Sequence, residues 1–390
     1  MAAVPYDVCN RSEAVELARG NPHSFLHVGR SDIDLPEDTD PHDPRIYAKA
    51  REALEQLIDQ GVLLRERERS LYLYRQEMDG RTQTGVVGCV HVDDYEGNVI
   101  RKHEKTRPDK EDDRTRHVLT LNAHAEPVFL AYRARAEISR VTESVTSTAP
   151  LYDFVAPDGV RHMVWKVPDP AALERAFQAV PCAYVADGHH RSASAWRAGK
   201  ERRSANPHHQ GSEEYNWFLA VLFPADQLTI LPYNRVVRDL GGKTAAEVLR
   251  QLQQVGRVSA TNDPRPGRSG AFCFYLAGGW HRLELAPESI DRRDPIASLD
   301  VALLQDRVLA PILSVGDPRT DKRIDFVGGI RGTAELERRV NSGDAAIAFS
   351  LHPTTMEQLM AVSDAGQVMP PKSTWFEPKL RSGLFVHELA

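Results

Sequence analysis

The sequence predicts an α/β (α+β) protein with mixed sheets and two lobes. Its 390 residues exceed the usual size of a single hydrophobic core, so a second lobe is expected. Short apolar segments of strand character alternate irregularly with segments of helical periodicity, and several strand pairs are separated only by turn residues. An apolar content of 41% and a charged content of 27% are typical of a globular chain. A regular doubly wound sheet is therefore not expected.

The first third of the chain predicts a helix, a hairpin and a buried strand. Apolar residues recur at helical spacing over residues 46–60, and Gly61 follows as a helix stop. Residues 71–76 and 85–92 predict paired strands, with Asp79-Gly80 in the turn. The apolar residues 127–132 predict a buried strand.

The middle of the chain predicts two further hairpins around a strand–helix junction. One hairpin joins residues 151–154 to 162–167, and the other joins 217–223 to 228–237. Between them, residues 170–180 predict a helix capped by Asp169, because Pro170 suits the first turn. A short apolar strand over 183–186 and an alanine-rich helix over 192–198 follow.

The C-terminal third repeats this irregular alternation. Beyond Gly241-Gly242 the pattern predicts helices over 244–255, 300–309 and 334–341, and strands over 271–276, 281–285, 324–327 and 345–351. The glycine pair predicts a boundary between an N-terminal α/β lobe, residues 1–240, and a C-terminal α+β lobe, residues 241–390.

Charge and cysteine content limit the partners and the compartment. The chain has 49 basic and 55 acidic residues, a net charge of −6, so no nucleic-acid partner is expected. Its four cysteines are scattered, which favours a reducing compartment without disulfides. Acidic and basic residues interrupt the N-terminus where a signal peptide is apolar, and no apolar run is long enough to cross a bilayer. We expect a soluble cytoplasmic protein with no membrane partner; a homo-oligomer is compatible with the sequence.

The strongest local motif is Asp187-Gly188-His189-His190-Arg191, placed between the predicted strand over 183–186 and the predicted helix over 192–198. The first turn of a helix has unpaired N–H groups and a partial positive charge, which favour an anion. Gly188 lets a ligand approach the backbone, and Arg191 and the histidines can donate hydrogen bonds to phosphate. Asp187 beside a phosphate site is suited to hold Mg²⁺ or to orient a hydroxyl. The alternative is that Asp187 caps the helix and the histidines are solvated.

Several separated motifs resemble a known family. The chain is similar to the domain of unknown function 1015 family through the following segments: Pro5-Tyr6-Asp7-Val8, His103-Glu104-Lys105-Thr106, Ala186–Arg191, Met369–Thr374, Pro378-Lys379 and Ser382-Gly383-Leu384. The Asp-Gly-His-His-Arg motif also resembles that of free serine kinases with a ParB/sulfiredoxin-like fold. The resemblance implies a nucleotide-binding core of that fold. One departure is Asn234 before Arg235, where the family pattern has a histidine.

Two further segments carry candidate site residues. In the first, Glu104 is a candidate base for a substrate hydroxyl and Lys105 a candidate phosphate ligand; the alternative is a solvated charged face. In the second, Lys372, Ser373 and Thr374 follow two prolines and could close over a phosphate from the C-terminal lobe. A proline-stiffened surface turn is the alternative, and the segment lacks the glycine-rich cradle of a P-loop.

Two other kinds of site fit the sequence poorly. Cys182, His189, His190, His208 and His209 lie within a short span, but their spacing matches no structural zinc class, so no zinc is expected. Residues 328–332 contain three glycines after a predicted strand, without the spacing of a dinucleotide-binding loop.

The resemblance to free serine kinases implies a kinase that uses ATP or ADP with Mg²⁺ and phosphorylates the hydroxyl of a small serine-like metabolite. Phosphoryl transfer needs mainly positioning and neutralisation of charge, which the residues of these motifs can supply. Asp187, Glu104 and His189 are the expected catalytic residues, with Asp187 also the Mg²⁺ ligand. The expected phosphate ligands are Gly188, His190, Arg191, Lys105, Lys372, Ser373 and Thr374. A ParB-like nucleotide sensor and a metal-dependent hydrolase are the alternatives.

Overall fold

The computed structural model describes residues 1–389 and contains two compact units. The first unit comprises Met1–Leu228 together with the C-terminal segment that begins at Pro378, and the second comprises Thr229–Glu377. The chain therefore changes unit at positions other than the predicted boundary after residue 240. The reason is long-range strand pairing, described below, which the glycine pair at 241–242 does not reveal.

Up to residue 228 the first unit contains eight α-helices and nine strands. The helices are α1 (Arg11–Ala18), α2 (Leu26–Gly29), α3 (Pro44–Asp59), α4 (Val92–Glu96), α5 (Pro108–Leu121), α6 (Ala136–Thr146), α7 (Pro170–Phe177) and α8 (His189–Ala205). The strands are β1 (Tyr72–Met78), β2 (Arg81–His91), β3 (Ile100–Arg101), β4 (Ala123–His124), β5 (Val128–Tyr132), β6 (Tyr152–Val155), β7 (Arg161–Lys166), β8 (Ala183–Asp187) and β9 (Trp217–Pro224).

Eight of these strands form one mixed sheet in the order β3-β8-β5-β9-β2-β1-β7-β6. The pairs β3/β8 and β5/β9 are parallel, whereas β5/β8 and the remaining pairs are antiparallel. This arrangement confirms the predicted mixed-sheet class. It also brings the end of β3, the end of β8 and the start of β5 to one edge of the sheet, because parallel strands end on the same side.

Local turn chemistry explains the hairpins that the sequence predicts. In the β1/β2 hairpin Met78 pairs with Arg81, so the loop is Asp79-Gly80, and both loop residues have positive φ angles of 50° and 73°. Such a two-residue turn matches the twist of the flanking strands. The β6/β7 hairpin is also confirmed. In contrast, Asp169 precedes α7 without a side-chain capping bond, so the predicted cap is wrong.

The second unit consists mainly of an antiparallel six-stranded sheet. Its elements are β10 (Ile230–Leu231), β11 (Tyr233–Val237), α9 (Ala245–Val255), β12 (Arg257–Ala260), β13 (Ala271–Leu276), β14 (Gly279–Glu284), α10 (Asp300–Leu304), β15 (Ile324–Gly328), α11 (Ala334–Asn341), β16 (Ile347–Leu351), α12 (Met356–Asp364) and β17 (Trp375–Phe376). The sheet order is β12-β14-β13-β16-β11-β15, and β10 pairs with β17.

The pairing of strand β11 places it in the second unit. The sequence predicts it as the hairpin partner of residues 217–223, but it pairs instead with β15 and β16. The predicted hairpin is therefore wrong. All five residues of β11 are buried, and a buried strand needs hydrogen-bonding neighbours on both sides. Those neighbours lie far along the chain, beyond the reach of a local pattern.

The C-terminal segment returns to the first unit and ends in β18 (His387–Glu388), which pairs with β4. Ala3 and Ser382 exchange two backbone hydrogen bonds of 3.0 and 2.9 Å, so both ends of the described chain meet there. Gly383 has a φ angle of 88°, and a Cβ at this position would lie 2.7 Å from the Phe25 ring. Among residues 1–389, no helix has the length and apolar character that a membrane span requires.

Candidate functional site

The candidate site is built at the junction of β8 and α8. The strand ends at Asp187, Gly188 adopts a φ angle of 94°, and α8 begins at His189, three residues earlier than the sequence predicts. A Cβ on Gly188 would lie 3.0 Å from Arg191 Nε and 3.1 Å from its Cζ. The left-handed backbone therefore favours glycine, and a Cβ at this position would also make a tight contact with the Arg191 side chain.

No side chain caps the N-terminus of α8. The backbone N–H of Ser192 donates to the Gly188 carbonyl oxygen at 2.9 Å, as the first hydrogen bond of the helix. The N–H groups of the three preceding residues have no partner within the helix, which is the usual state of a first turn. Because α8 is 17 residues long, its dipole adds a partial positive charge at this end.

Asp187 is held ionised by two neighbouring cations. Its Oδ2 accepts a hydrogen bond from Lys379 Nζ at 3.0 Å and lies 3.7 Å from Arg191 Nη2, while Oδ1 accepts from the Gly188 N–H at 3.0 Å. Burial by itself raises the pKa of Asp187, but the charges of Lys379 and Arg191 outweigh it and hold the pKa well below its usual range. The side chain keeps 27% exposure, so it remains reachable.

Arg191 is 9% exposed and already makes several contacts within the protein. Its Nη1 donates to the Pro127 carbonyl oxygen at 2.6 Å, and its Nη2 lies 3.7 Å from carboxylate oxygens of both Asp7 and Asp187. Its Nε is buried without a hydrogen-bond partner. The guanidinium therefore links three parts of the chain and contributes positive charge to the site from within the fold.

Two buried histidines pack beside Asp187. The rings of His103 and His189 are nearly perpendicular, with centroids 4.4 Å apart, and the residues are 2% and 5% exposed. Burial lowers the pKa of His103 to about 4, and burial together with the neighbouring His103 lowers the pKa of His189 well below its usual value. Both rings are therefore neutral near pH 7.

The parallel pairing of β3 with β8 explains why His103 reaches the site. Ile100 pairs with Ala183 and Arg101 with Tyr184, so the chain leaves β3 alongside the last residues of β8. Glu104 and Lys105 follow with exposed side chains. Arg107 then donates its backbone N–H to His190 Nε2 at 3.1 Å. The predicted segment 103–106 thus adjoins the start of α8.

The N-terminal and C-terminal segments both contribute contacts beside the candidate site. Glu126 Oε1 accepts hydrogen bonds from the Tyr6 backbone N–H at 3.2 Å and from Ser382 Oγ at 2.9 Å. Burial raises the pKa of Glu126, although the charge of Arg191 opposes the shift. A cavity of about 30 Å³ lies beside Glu126 and Arg191, with Arg114 and Ser194 also in its wall. This volume suits one or two water molecules.

Lys379 lies in the site, although no local pattern in the sequence predicts a role for it. Its backbone carbonyl accepts a hydrogen bond from Gln76 Nε2 at 2.8 Å, and its ammonium group contacts Asp187, 192 residues away in sequence. The one available signal was the Pro378-Lys379 pair among the segments that carry the family resemblance.

The predicted residues Lys372, Ser373 and Thr374 belong to the second unit. Lys372 has a left-handed φ angle of 57°, and its Nζ lies 5.5 Å from the centre of the Tyr233 ring. The buried Arg235 donates to the Lys372 carbonyl oxygen at 3.0 Å, while Ser373 Oγ donates to the Pro370 carbonyl oxygen at 2.6 Å. These contacts fix a rigid turn within that unit.

Asp187 is the predicted Mg²⁺ ligand of the candidate site, where the carboxylates of Asp7 and Glu126 also lie near Arg191. Among residues 1–389, no three His, Cys, Asp or Glu side chains are arranged to hold a metal ion. Asp187 Oδ2 is also paired with Lys379. This donor set fits a Mg²⁺ ion that is carried mainly by phosphate oxygens, because Mg²⁺ commonly binds one or two carboxylates together with substrate phosphates and water.

Comparison with known proteins gives one family match and several distant structural likenesses. The model of the family described as "Protein of unknown function (DUF1015)" matches residues 1–302. No curated protein matches the sequence.

The structural likenesses are low in both sequence identity and TM-score. A free serine kinase in complex with AMP is 13% identical, with 74% of this chain and 86% of that chain covered and a TM-score of 0.35. A conserved hypothetical protein from Pyrococcus furiosus is 14% identical, with 76% and 93% covered and a TM-score of 0.36. SbnI with a C-terminal truncation, from Staphylococcus aureus, is 13% identical, with 76% and 85% covered and a TM-score of 0.39.

Proposed function

The chain belongs to the DUF1015 family, as its separated motifs predicted, and we propose that it is a nucleotide-dependent kinase. Its substrate is the hydroxyl group of a small serine-like metabolite. The family has no established activity from which to argue, so the proposal depends on the chemistry of the β8–α8 junction.

The observation that carries the proposal is the combination of an uncapped helix start with buried, neutral imidazoles beside an ionised carboxylate. The first turn of α8 offers backbone N–H donors to an anion, and Gly188 leaves its backbone open. The buried imidazole rings of His103 and His189 lie in edge-to-face contact beside this helix start. A helix start alone would not distinguish a ligand site from an ordinary turn.

Each residue of the junction has a role that suits phosphoryl transfer, which needs mainly positioning and neutralisation of charge. The α8 N–H groups, Gly188 and His190 bind phosphate oxygens, while Arg191 and Lys379 add positive charge. Lys105 is a further phosphate ligand from the segment after β3. Asp187 is the carboxylate proposed to hold a Mg²⁺ ion bound with the nucleotide, and such an ion would neutralise phosphate charge.

Glu104 is the proposed general base, and His189 assists at the reacting hydroxyl. The hydroxyl oxygen forms a bond to the transferred phosphorus as the bond to the leaving nucleotide oxygen breaks. The hydroxyl proton passes to the Glu104 carboxylate. Lys372, Ser373 and Thr374 lie in the second unit, and their role as phosphate ligands stays a prediction.

Calorimetric titration of the full chain with ATP and ADP, each with Mg²⁺, tests the proposal. We expect binding of at least one of them, and a tenfold or greater weakening in Lys379→Met, because a charge-assisted contact contributes about 1.5–3 kcal/mol. Lys200→Met is the matched control, since Lys200 lies towards the other end of α8, where it pairs with Glu96 and both side chains are about half exposed. Thermal melting of each variant checks that it is folded.

Binding, transfer and metal measurements also distinguish the kinase from the two alternative functions. Nucleotide binding without transfer to any hydroxyl compound would favour a ParB-like sensor. One tightly held equivalent of zinc would favour a metal-dependent hydrolase and make His189 and His190 candidate ligands. Absence of binding to every nucleotide at millimolar concentration would reject the kinase.

A further inference from the structure

A row of three buried polar side chains crosses strands β2, β1 and β7 of the eight-stranded sheet. Gln76 of β1 is paired with Gln83 of β2 on one side and with His162 of β7 on the other, so the three side chains lie on one face of the sheet. Gln76, Gln83 and His162 are 0%, 3% and 0% exposed. Burial of polar groups is unfavourable unless hydrogen bonds within the protein replace those to water. The hydrogen-bond partners of these three residues, which we call the polar row, therefore show why they are polar.

The polar row binds the C-terminal segment at two residues. Gln76 Nε2 donates to the Lys379 carbonyl oxygen at 2.8 Å, and Arg381 Nε donates to His162 Nε2 at 3.2 Å. Gln83 Nε2 donates to Gln76 Oε1 at 3.0 Å, so the neighbouring strand holds the Gln76 amide while this amide donates to Lys379. The contact with the C-terminal segment therefore accounts for the polarity of the row.

Lys379 connects the polar row to the candidate site. Its backbone is bound to Gln76, and its Nζ donates to Asp187 Oδ2 at 3.0 Å. Strands β1 and β8, which carry Gln76 and Asp187, are separated in the sheet by β2, β9 and β5. A lysine side chain is flexible, so the position of its ammonium group depends on where the backbone from which it extends is held. Gln76 holds that backbone, although its own strand does not adjoin β8.

The other contacts described for the C-terminal segment lie beyond Lys379. Arg381 pairs with Asp158, Ser382 donates to Glu126, and β18 pairs with β4. Each residue between such a contact and Lys379 adds two free backbone dihedral angles. These contacts keep the segment on the first unit, whereas the hydrogen bond from Gln76 acts on the backbone of Lys379 itself.

We propose that Gln76 is a positioning residue, which holds the backbone of Lys379 so that its ammonium group stays at Asp187. Gln83 supports this role by fixing the orientation of the Gln76 amide. The inference rests on the proposed function, in which Lys379 adds positive charge beside the start of α8. In this role Gln76 contacts no substrate and takes part in no covalent step.

The first test is a double-mutant cycle, measured by calorimetric titration of the full chain with ATP or ADP and Mg²⁺. Gln76→Met removes the amide and nearly keeps the length of the side chain, and it should weaken nucleotide binding about three- to tenfold, the effect of one hydrogen bond. In a Lys379→Met background the same change should weaken binding less than about twofold, because Gln76 acts through Lys379. Equal weakening in the two backgrounds would overturn the proposal.

Gln227→Met is the matched control for the loss of a glutamine that contacts the β1/β2 hairpin. Gln227 Oε1 accepts a hydrogen bond from the Thr84 backbone N–H at 2.8 Å, so its contact is with β2 and not with the C-terminal segment. Gln227→Met should therefore bind nucleotide as the wild type does. A weakening equal to that of Gln76→Met would count against a specific role of Gln76.

The second test separates positioning from stability. Gln76→Met should lower the free energy of unfolding in urea, because Gln83 Nε2 loses its acceptor. The double variant with Gln76→Met and Gln83→Met should recover most of this stability, since removal of both amides leaves neither of them unsatisfied. Its nucleotide binding should stay as weak as that of Gln76→Met. Recovery of binding together with stability would mean that Gln76 only supports folding, and the proposal would be overturned.

A third measurement needs no nucleotide. The full chain is labelled with ¹³C-lysine, and the ε-methylene NMR signal of Lys379 is assigned by its loss in Lys379→Met. This signal should move in Gln76→Met and stay in place in Gln227→Met, because the first change releases the backbone of Lys379. An unchanged signal in Gln76→Met would overturn the positioning role, even if the kinase is active. A shifted signal in a protein that binds no nucleotide would support the positioning role and reject the kinase.

Discussion

At the scale of single residues, the candidate site consists of side chains that already make hydrogen bonds and charge contacts within the protein. Arg191 is one such residue, because its guanidinium contacts a carbonyl oxygen and approaches two carboxylates while remaining 9% exposed. Asp187 is another, since Lys379 and the Gly188 N–H occupy its oxygens. A preorganised site of this kind loses less conformational entropy when a ligand binds.

Gly188→Ala should destabilise the protein by about 1–3 kcal/mol, because a non-glycine residue is strained at this φ angle and its Cβ would meet the Arg191 guanidinium. Urea denaturation measures the change. Gly211→Ala is a matched control, since Gly211 has a φ angle of 90° and a Cβ there would meet no atom within 4 Å. Gly211→Ala therefore has the backbone strain without a steric contact. Equal losses in the two variants would argue against a special role for the Gly188–Arg191 contact.

Glu104→Gln should reduce turnover by roughly 10²–10⁴ while nucleotide affinity changes only a few-fold, because a general base acts in the chemical step. Steady-state kinetics and calorimetry measure the two effects separately. Lys105→Gln serves as a comparison, since it removes a proposed phosphate ligand and should weaken nucleotide binding. Wild-type turnover in Glu104→Gln would remove Glu104 from the mechanism, and a loss of nucleotide binding would give it a structural role.

At the scale of elements, the C-terminal segment is the feature that ties the site together. It carries Lys379 to Asp187 and Ser382 to Glu126. Arg381, between them, is 5% exposed; its Nε donates to His162 Nε2 at 3.2 Å and its Nη2 pairs with Asp158. The segment is therefore anchored to the β6/β7 hairpin through a buried arginine.

Arg381→Met should lower the free energy of unfolding by about 1.5–3 kcal/mol, because the buried His162 loses its donor and a charge-assisted hydrogen bond is lost. The same variant should weaken nucleotide binding through displacement of Lys379. Arg161→Met provides the control within the same hairpin, since Arg161 pairs with Asp153 at the surface and the loss of an exposed pair has little effect. Chemical denaturation and calorimetry report on the two expectations. Unchanged stability in Arg381→Met would show that the anchor is elsewhere.

At the scale of the whole molecule, several buried histidines predict a dependence of stability on pH. Burial lowers the pKa of both His103 and His162 to about 4, from an ordinary value of 6.5. Between pH 6.5 and 4 the unfolded chain therefore binds more protons than the folded chain, so stability falls as the pH falls. Glu126 acts in the opposite direction, because its raised pKa lets the folded state take up a proton first.

The free energy of unfolding should therefore decrease from pH 7 to pH 5, by an amount on the order of 1–2 kcal/mol for each such histidine. Urea denaturation at pH 7, 6 and 5 measures the slope. His103→Phe should give a shallower slope, while the exposed His208→Phe should leave it unchanged. A slope that does not respond to His103→Phe would mean that this ring is not held neutral in the folded protein.

The sequence alone determined the features that depend on neighbouring residues. Asp79-Gly80 specified the β1/β2 turn because both positions need positive φ angles, and the apolar run before Asp187 followed by a small residue and an alanine-rich stretch specified the strand–helix junction. The mixed-sheet class followed from the irregular order of such local signals. Even here the predicted element boundaries were approximate. Helix α8 begins three residues earlier than predicted and includes His189 and Arg191, which are buried by contacts with distant parts of the chain.

The tertiary structure alone decided which distant residues meet. The parallel pairing of β3 with β8 brought His103 to His189, and the return of the C-terminal segment brought Lys379 to Asp187. The pairing of β11 with β15 and β16 likewise set the division into units. Strand partners are chosen by burial and hydrogen bonding summed over the whole sheet, whereas periodicity and turn residues describe only the few positions around them. For that reason the motif at residues 187–191 and the segment 103–106 were visible in the sequence, but the contact of His103 with His189 and that of Lys379 with Asp187 were not.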